Sequence, residues 1–421
     1  MPRAPSTMEN RTLSEPAAPG PSASKPLPLA GIRVIEFCHT IMGPSCGLAL
    51  ADLGADVVKV EPLEGDRTRR LGGFAAGFFS YFNRNKRSIA IDLKSPEGAD
   101  VVQRLVRGAD VLVENFAPGT LDRMGYGYAA MAALNARLIY CSLKGFLSGP
   151  YEKRPALDEI VQYMAGLAYM TGPPGRPLRA GASVVDILGG TFGALAILAA
   201  IEERHRTGRG QLVKSALFES TAYLVAQHMV AEAVVGEPVP PMPARLSAWA
   251  IYETFPARGG ELLFVGITTN HIWKRFCEAF GLAALLADPD LQTNEQRVAA
   301  RPRLVPIVAE IIAAHDIGTM MQRLEALDVP FSPVVKPGEL FDDPHLNSGN
   351  RMLETHLLDG KTARLPGLPI EMAGHALGLR HHPPAAGEQT REILREAGLD
   401  GAAIDALIAG GKAGVGHRGP R

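Results

Sequence analysis

The 421-residue sequence lacks the features that mark several large classes of protein. Its four cysteines include no CxxC pair, which argues against a zinc ribbon or a thioredoxin-like site and predicts buried thiols in a reducing compartment. Lysine and arginine total 43 against 44 aspartate and glutamate residues, so the basic excess of a nucleic-acid-binding protein is missing. We therefore expect no nucleic-acid partner.

Long apolar runs are also missing. The longest, at residues 189–201, is shorter than the ~20 residues that a bilayer span needs, and it ends in Glu-Glu-Arg. The first 26 residues are rich in proline, serine and alanine, without the apolar core of a signal peptide or the acid-poor composition of a transit peptide. This composition predicts a disordered tail at residues 1–26, no membrane partner and a cytoplasmic protein.

The common nucleotide-binding and nucleophile motifs are absent. The turn after the first predicted strand reads Cys38-His-Thr-Ile-Met-Gly-Pro44 instead of GxGxxG, and neither GxxxxGK[ST] nor GxSxG occurs. The pair His381-His382 has no companions that would complete a metal site, so we expect no metal. These residues alone indicate only a soluble α/β protein that acts on small molecules.

Strand-like and helix-like segments alternate along the first half of the chain. Alternation at this spacing predicts βαβ units and a mostly parallel sheet. Such sheets bind ligands at the loops beyond the carboxyl ends of their strands. Strands are predicted at residues 32–37, 57–61, 88–93, 110–114, 138–142, 212–215 and 261–267. Helices are predicted at residues 43–53, 96–107, 131–135, 159–170, 187–205, 273–280 and 304–315. The loops of interest are residues 38–43, 62–66, 115–119 and 143–149.

One aspartate stands where its carboxylate could do chemistry. In Arg179-Ala-Gly-Ala-Ser-Val-Val-Asp186, an acid ends an apolar run and opens an apolar helix. An acid in that place is most often a helix cap that contributes about 1 kcal/mol. The small neighbours would also admit a bulky ligand, and the helix N-terminus would keep the carboxylate ionised, as a nucleophile requires. Both interpretations remain open on these residues alone.

An ordered set of segments carries a resemblance to a known family. In chain order they are LAGIRVIEF at 29–37, GP at 43–44, LGADVVKVE at 53–61, NRNKRS at 83–88, DLK at 92–94, VENFAPG at 113–119, Gly172, RAG at 179–181, Asp186 and TGRGQ at 207–211. Each segment is a weak signal alone. Together the set resembles the class III CoA-transferases of the CaiB/BaiF type, which include formyl-CoA:oxalate and carnitine CoA-transferases. The match spans about residues 28–400.

The resemblance implies an α/β fold with a Rossmann-like large domain, built on a parallel sheet, and a smaller α+β domain. A proline-rich segment at residues 236–243 marks the change of composition between them. Residues 27–235 and 337–421 would together form the large domain that binds CoA, and residues 236–336 would form the linker and the small domain. The family also implies an interlocked homodimer, in which each chain forms a ring threaded by the other.

The resemblance further assigns roles to single residues. Asp186 matches the family's catalytic aspartate. The positions implied to contact CoA or substrate are His39, Thr40, Ile41 and Met42 in the first turn, Ile91 against adenine, Asn115, Phe116 and Arg123 along CoA, and Asp158 beside the nucleophile. Taken singly, Phe116 and Ile91 also fit ordinary core positions, and Arg123 fits a surface charge.

The implied activity is transfer of CoA from an acyl-CoA donor to a free carboxylic acid through an aspartyl anhydride and an aspartyl-CoA thioester. Acyl-CoA thioesters are then substrates, and no tightly bound cofactor is expected. Backbone N–H groups near Asp186 would stabilise the oxyanion. Residues 243–254 lack the glycine run of the oxalate enzymes, and Ile41 replaces their glutamine, so we expect a less polar acyl group. A second carboxylate would pair with Arg154 or Arg245, which predicts a C4–C5 dicarboxylic acid.

Two other functions compete with transfer. A racemase of the α-methylacyl-CoA type needs two acid/base groups on opposite faces of the substrate. Leu157 stands where that branch has a histidine, and leucine cannot transfer a proton. A CoA-binding protein without catalysis would be expected to lack the aspartate, which is present at position 186. Transfer is therefore the preferred interpretation.

Overall fold

The computed structural model describes residues 25–245 and 247–416, so the tail predicted at residues 1–26 lies, up to residue 24, outside the described residues. The strands are β1 Arg33–Phe37, β2 Asp56–Glu61, β3 Lys86–Ile91, β4 Val111–Glu114, β5 Ile139–Lys144, β6 Leu212–Ala216, β7 Ile251–Pro256, β8 Leu262–Ile267, β9 Phe331–Pro333, β10 Met352–His356, β11 Thr362–Pro366 and β12 Ala413–Gly414. The helices are α1 Met42–Asp52, α2 Phe78–Phe82, α3 Pro96–Arg107, α4 Thr120–Arg123, α5 Tyr128–Leu134, α6 Asp158–Met164, α7 Leu167–Thr171, α8 Val184–Thr207, α9 Leu217–Val235, α10 Asn270–Ala279, α11 Ala283–Ala287, α12 Asn294–Ala299, α13 Arg301–Ala313, α14 Ile317–Ala326, α15 Thr390–Glu396 and α16 Gly401–Ala409.

The main sheet has seven strands in the order β12-β3-β2-β1-β4-β5-β6. All neighbouring strands run parallel except β12, which pairs antiparallel with β3 at the edge. The predicted α/β fold with a mostly parallel sheet is confirmed. The strand order reverses at β1, whose neighbours are β2 on one side and β4 on the other. Loops after β1 and β4 therefore diverge and leave a crevice beyond the carboxyl ends of the strands.

Helices cover both faces of this sheet, which explains the nearly continuous apolar strands. Successive residues of β1 point to opposite faces, so Val34 joins the core with α1 and α8, and Ile35 joins the core with α3, α5, α15 and α16. Helix α3 begins where the sequence predicted, because Pro96 occupies its first turn and the Ser95 hydroxyl accepts the Gly98 N–H at 3.1 Å.

Small residues allow α1 and α8 to cross at close range. A Cβ on Gly190 would lie 2.5 Å from the Met42 carbonyl oxygen and 3.0 Å from the Cys46 nitrogen. A Cβ on Gly43 would lie 2.9 Å from the Asn115 side chain. These close approaches bring the N-termini of α1 and α8 together beside the loop that follows β4.

Among the described residues, helix α8 has the length and apolar composition of a membrane-spanning helix. The bent pair of α13 and α14 also meets these two criteria when the two helices are taken together. The helix contacts α1, β5, β6 and α9, and its buried residues belong to the core of the main sheet. This packing accounts for its apolar composition.

The middle of the chain forms its own core. Strands β7, β8 and β9 make an antiparallel sheet that packs with α10, α13 and α14 around Trp273, Phe276 and Leu304. Strand β7 was not predicted from the sequence, because residues 243–254 were interpreted as a segment that connects the two domains. The hairpin of β10 and β11 was not predicted either, because its residues alternate only weakly between apolar and polar. The helix predicted at 159–170 is two helices, because Gly166 adopts a φ of 85° between α6 and α7. The predicted domain boundaries stay a prediction.

Candidate active site

A cavity of about 470 Å³ lies at the carboxyl ends of β1, β4 and β5. This is within the usual size of small-molecule sites. Of the ten residues to which the resemblance assigns catalysis or contact with CoA or substrate, all but Ile91 and Arg123 line it: Asp186, Asp158, His39, Thr40, Ile41, Met42, Asn115 and Phe116. A second cavity of about 420 Å³, beside residues 367–378, contains none of them. The strand-end cavity is the candidate active site.

The turn after β1 is held in a strained shape against the loop after β4. His39 N–H donates to the Asn115 Oδ1 at 3.0 Å, and the Asn115 Nδ2 donates to the His39 carbonyl at 2.9 Å. Thr40 adopts a φ of 66°, an uncommon conformation for a β-branched residue. Its N–H donates to the buried Thr68 hydroxyl at 3.0 Å, which fixes that conformation. Strain of this kind persists where the surroundings determine it, and it is common at functional sites.

Two buried lysines hold the ends of the same turn. The Lys59 ammonium donates to the Cys38 carbonyl at 2.7 Å, and the Lys86 ammonium donates to the Pro44 carbonyl at 2.9 Å. Both pair with Glu36, at 3.4 Å and 2.7 Å. Burial disfavours the Lys59 charge, but Glu36 and nearby carboxylates outweigh it and hold the pKa of Lys59 above its usual range. Glu36 and Lys59 are charged residues inside predicted apolar strands, and that pattern could have indicated the buried ion pairs, which the sequence analysis did not predict.

Asp186 is the third residue of α8 and is partly buried. Among the described residues its carboxylate has no hydrogen-bond donor. Burial, followed by the negative charge of Asp158, raises the pKa of Asp186 to about 7, although Arg179 acts in the opposite direction. Desolvation and the neighbouring acid oppose the expected influence of the helix N-terminus, so the Asp186 carboxylate is only partly ionised at neutral pH.

Asp158, not Asp186, caps α8. The Asp158 Oδ2 accepts the N–H groups of Val185 and Asp186, both at 3.0 Å. The capping interpretation of Asp186 is therefore wrong, and its side chain faces the cavity. These two N–H groups are already bound to a carboxylate and are not free to bind an oxyanion. The expectation that backbone N–H groups near Asp186 stabilise the oxyanion stays a prediction for the other N–H groups.

Two implied ligand contacts lie elsewhere. Ile91 is 1% exposed, in the core that β3 shares with α3, α15 and α16, so its side chain offers no surface to an adenine, and that assignment is corrected. Arg123 is exposed on α4, where its Nη2 donates to the Thr120 hydroxyl at 3.1 Å, outside the cavity lining. Its contact with CoA stays a prediction. Within the residues that the structure describes, no group of three or more His, Cys, Asp or Glu is placed to hold a metal.

Three cationic residues line the cavity. Lys144 is occupied, since its ammonium donates to Glu114 at 2.7 Å and to the Phe116 carbonyl at 2.6 Å. Arg154, which the sequence proposed for a second carboxylate, lines the cavity, whereas Arg245 does not. Arg67 was missed, although it directly follows one of the loops of interest.

The sequence model of CoA-transferase family III matches residues 29–390. The chain belongs to this family. A succinate–glutarate CoA-transferase from Agrobacterium fabrum is 35% identical, and the alignment covers 88% of this chain and 95% of that one. A mouse succinyl-CoA:glutarate CoA-transferase is 32% identical, with 91% and 90% covered. The crystal structure of a CAIB/BAIF family protein from Brucella suis has a TM-score of 0.80 at 32% identity, with 89% and 100% covered.

The resemblance drawn from the ordered segments is confirmed. As a family III CoA-transferase, the protein moves CoA between carboxylic acids and uses CoA thioesters as substrates.

Proposed function

We propose that this family III CoA-transferase exchanges CoA between C4–C5 dicarboxylic acids, with Asp186 as the nucleophile. The observation that carries the proposal is the position of the Asp186 carboxylate. It lines the cavity at the point where the strand order reverses, and no hydrogen bond within the described residues restrains it. A carboxylate with a pKa near 7 is more basic than an ordinary aspartate and is ionised in a substantial fraction at neutral pH.

The proposed reaction moves one negative charge through the site. An Asp186 oxygen bonds to the thioester carbon of the donor, the carbon–sulfur bond breaks, and CoA leaves as a thiolate. The thiolate then bonds to the aspartyl carbonyl of the anhydride and releases the donor acid as a carboxylate. The acceptor carboxylate attacks the aspartyl-CoA thioester, and the steps reverse. Keeping the thiolate beside the anhydride makes each step effectively unimolecular, which lowers the activation free energy by roughly 7–11 kcal/mol.

Two arginines support a dicarboxylate as the acid. The Arg67 and Arg154 side chains are exposed at the cavity, and neither forms an ion pair within the described residues. A guanidinium is suited to bind the distal carboxylate of an acid whose other end reacts at Asp186. The two relatives above are named for succinate and glutarate, acids of this length.

The Arg154→Gln variant should lose selectivity for dicarboxylates. We expect the KM for succinate or glutarate to rise about 10-fold to 100-fold, since a charge-assisted hydrogen bond contributes about 1.5–3 kcal/mol. The KM for a monocarboxylate of equal length should change less than about 2-fold. Lys153→Gln, which removes the adjacent exposed charge outside the cavity, is the matched control. Equal losses for both classes of acid would contradict the assigned contact.

A panel of acyl-CoA donors and free acids tests the proposed function, with exchange followed by chromatography. Succinyl-CoA and glutaryl-CoA should exchange with C4–C5 dicarboxylates. No exchange with any dicarboxylate would contradict the assignment. The racemase alternative predicts that deuterium enters the α-carbon without an acceptor acid; Leu157, 68% exposed at the cavity, supplies no base for that reaction.

We also propose that the protein acts as a homodimer, interlocked as in its family. A broad exposed apolar surface on α6–α9 supports this, because large exposed apolar patches mark interaction sites. Its members are Ile160, Tyr163, Tyr169, Leu195, Tyr223, Val230, Val234 and Val235. Light scattering should give a mass twice that of one chain; a monomer at micromolar concentration would contradict the proposal.

A further inference from the structure

We infer that Asp158 is a positioning residue for Asp186 that disfavours the ionised nucleophile and thereby favours its acylated form. The inference rests on the proposed function, in which Asp186 attacks the thioester. It replaces the expectation from the sequence that Asp158 contacts substrate or CoA.

The hydrogen bonds of Asp158 join it to the backbone of the nucleophile. Its Oδ2 accepts the Asp186 N–H and the preceding Val185 N–H, both at 3.0 Å. Its Oδ1 accepts the Gln162 Nε2 at 2.6 Å. The residue is only 8% exposed. Since both carboxylate oxygens already accept hydrogen bonds from the protein, Asp158 has little capacity left to bind a substrate.

The segment that leads into α8 is fixed by the same group of side chains. Gln162 is fully buried, and its Oε1 accepts the Ala180 N–H at 2.8 Å. The Arg179 Nη2 lies 3.6 Å from the Asp158 Oδ1, and its Nε donates to the Ala180 carbonyl at 3.0 Å. Asp158 therefore sets where α8 begins and, with it, the direction in which the Asp186 side chain leaves the helix.

The charge of Asp158 acts differently on the two states of the nucleophile. The repulsion between Asp158 and ionised Asp186 is present in the free enzyme. Bonding of an Asp186 oxygen to the thioester carbon makes a neutral anhydride, and the negative charge leaves on the CoA thiolate. In the second step the charge leaves on the donor carboxylate, and Asp186 carries a neutral thioester. While the thiolate stays beside the anhydride, the site keeps one negative charge and the repulsion is only partly relieved. Once the donor carboxylate departs, the aspartyl-CoA thioester is free of the repulsion, so Asp158 shifts the equilibrium toward that acylated form.

The titratable and charged side chains at and around the cavity come from several elements of the fold. Asp158 and Arg179 are the charged groups that act on the Asp186 carboxylate, the first raising and the second lowering its pKa. Lys144 is paired with Glu114, and Glu219 of α9 accepts the Leu147 N–H. The remaining groups of the lining are His39, Arg67 and Arg154. The proposed effect is therefore tested by removing the Asp158 charge while keeping the acceptor oxygen that holds the start of α8.

The Asp158→Asn variant removes the charge, and its amide oxygen can still accept the two N–H groups at the start of α8. Its amide nitrogen replaces the oxygen that accepts from Gln162, so that one hydrogen bond is lost. We expect the acid limb of the pH profile of kcat/KM to move about one unit lower. At pH 8 the ratio of acylated to free Asp186, measured by mass spectrometry after quenching with acid, should fall about 10-fold. The KM for donor and acceptor should change less than about 2-fold, whereas a substrate contact would raise it about 10-fold or more.

Two further variants keep the outcome interpretable. Glu159→Gln removes the same charge from the next, exposed residue of α6 and should leave both readouts unchanged. Arg179→Gln removes the opposing charge and should move the acid limb to higher pH, the opposite direction to Asp158→Asn. The inference is overturned if Asp158→Asn raises KM while the acid limb of the kcat/KM profile stays at the wild-type pH. It is also overturned if Arg179→Gln does not move that acid limb to higher pH. Failure of the proposed function would instead appear in the wild-type enzyme, as exchange without acylation of Asp186.

Discussion

Asp186→Asn and Asp186→Ala should each lower the rate of CoA exchange by at least about 10³-fold with the fold retained. Neither side chain can form an anhydride, so the covalent route is lost, and single removals of nucleophiles have effects of this size or larger. The measurement is exchange between an acyl-CoA and a free dicarboxylate, followed by chromatography. Circular dichroism of the same samples reports whether the fold is intact.

Glu202→Gln is the matched control for this loss. Glu202 lies on the same helix, α8, and its side chain is 67% exposed, far from the cavity lining. Its neutralisation should leave the exchange rate within about 2-fold of wild type, because exposed charges contribute little. A wild-type rate of CoA exchange in either Asp186 variant would contradict the assignment of Asp186 as the nucleophile.

Asp186→Asn should also stabilise the protein at alkaline pH. The folded-state pKa of Asp186, about 7, lies above the value of about 3.9 for an unfolded aspartate. Ionisation therefore costs more in the folded state, and wild-type stability falls as the pH rises from about 4 through 7. A neutral asparagine avoids that cost, so the free energy of unfolding should rise by up to about 4 kcal/mol at pH 8. The difference should vanish below about pH 4.

Urea denaturation at pH 4, 6 and 8, at one fixed protein concentration, measures this difference. Glu202→Gln should show less than about 0.5 kcal/mol at each pH, since the side chain is exposed. An Asp186→Asn difference that is constant with pH, or that is largest at pH 4, would show that the pKa of Asp186 is not raised. The expected pattern, lost activity with gained stability, is typical of strained functional groups.

The sheet and the place of the site could be predicted because both follow from short-range patterns. Largely apolar segments such as Val57–Val60, which lies between Gly54 and Pro62, predict parallel strands, and parallel strands place their following loops at one edge. Asn115 and the His39–Met42 turn were thereby expected near each other, and the structure joins them through two hydrogen bonds. The ordered segments then identified the family, although no single segment was specific.

The electrostatics of the site could not be predicted, because they depend on contacts between residues distant in sequence. Asp158 lies 28 positions before Asp186, and nothing in the chain between them shows that its carboxylate caps α8. A helix dipole alone predicts a lowered pKa; burial and the second acid reverse the sign. Ile91 shows the same limit, since its strand pairs with Ala413 and its core includes Ile393 and Ile404, which all come from the far end of the chain.

The central claim is that Asp186 carries the acyl group and CoA covalently. The most direct measurement incubates the wild-type protein with succinyl-CoA, traps with hydroxylamine, and maps the product by mass spectrometry of peptides. We expect a hydroxamate on Asp186 in the wild-type enzyme, on no other carboxylate, and none in Asp186→Asn. Rapid exchange of CoA with an unmodified Asp186, or a hydroxamate on a different residue, would contradict the account.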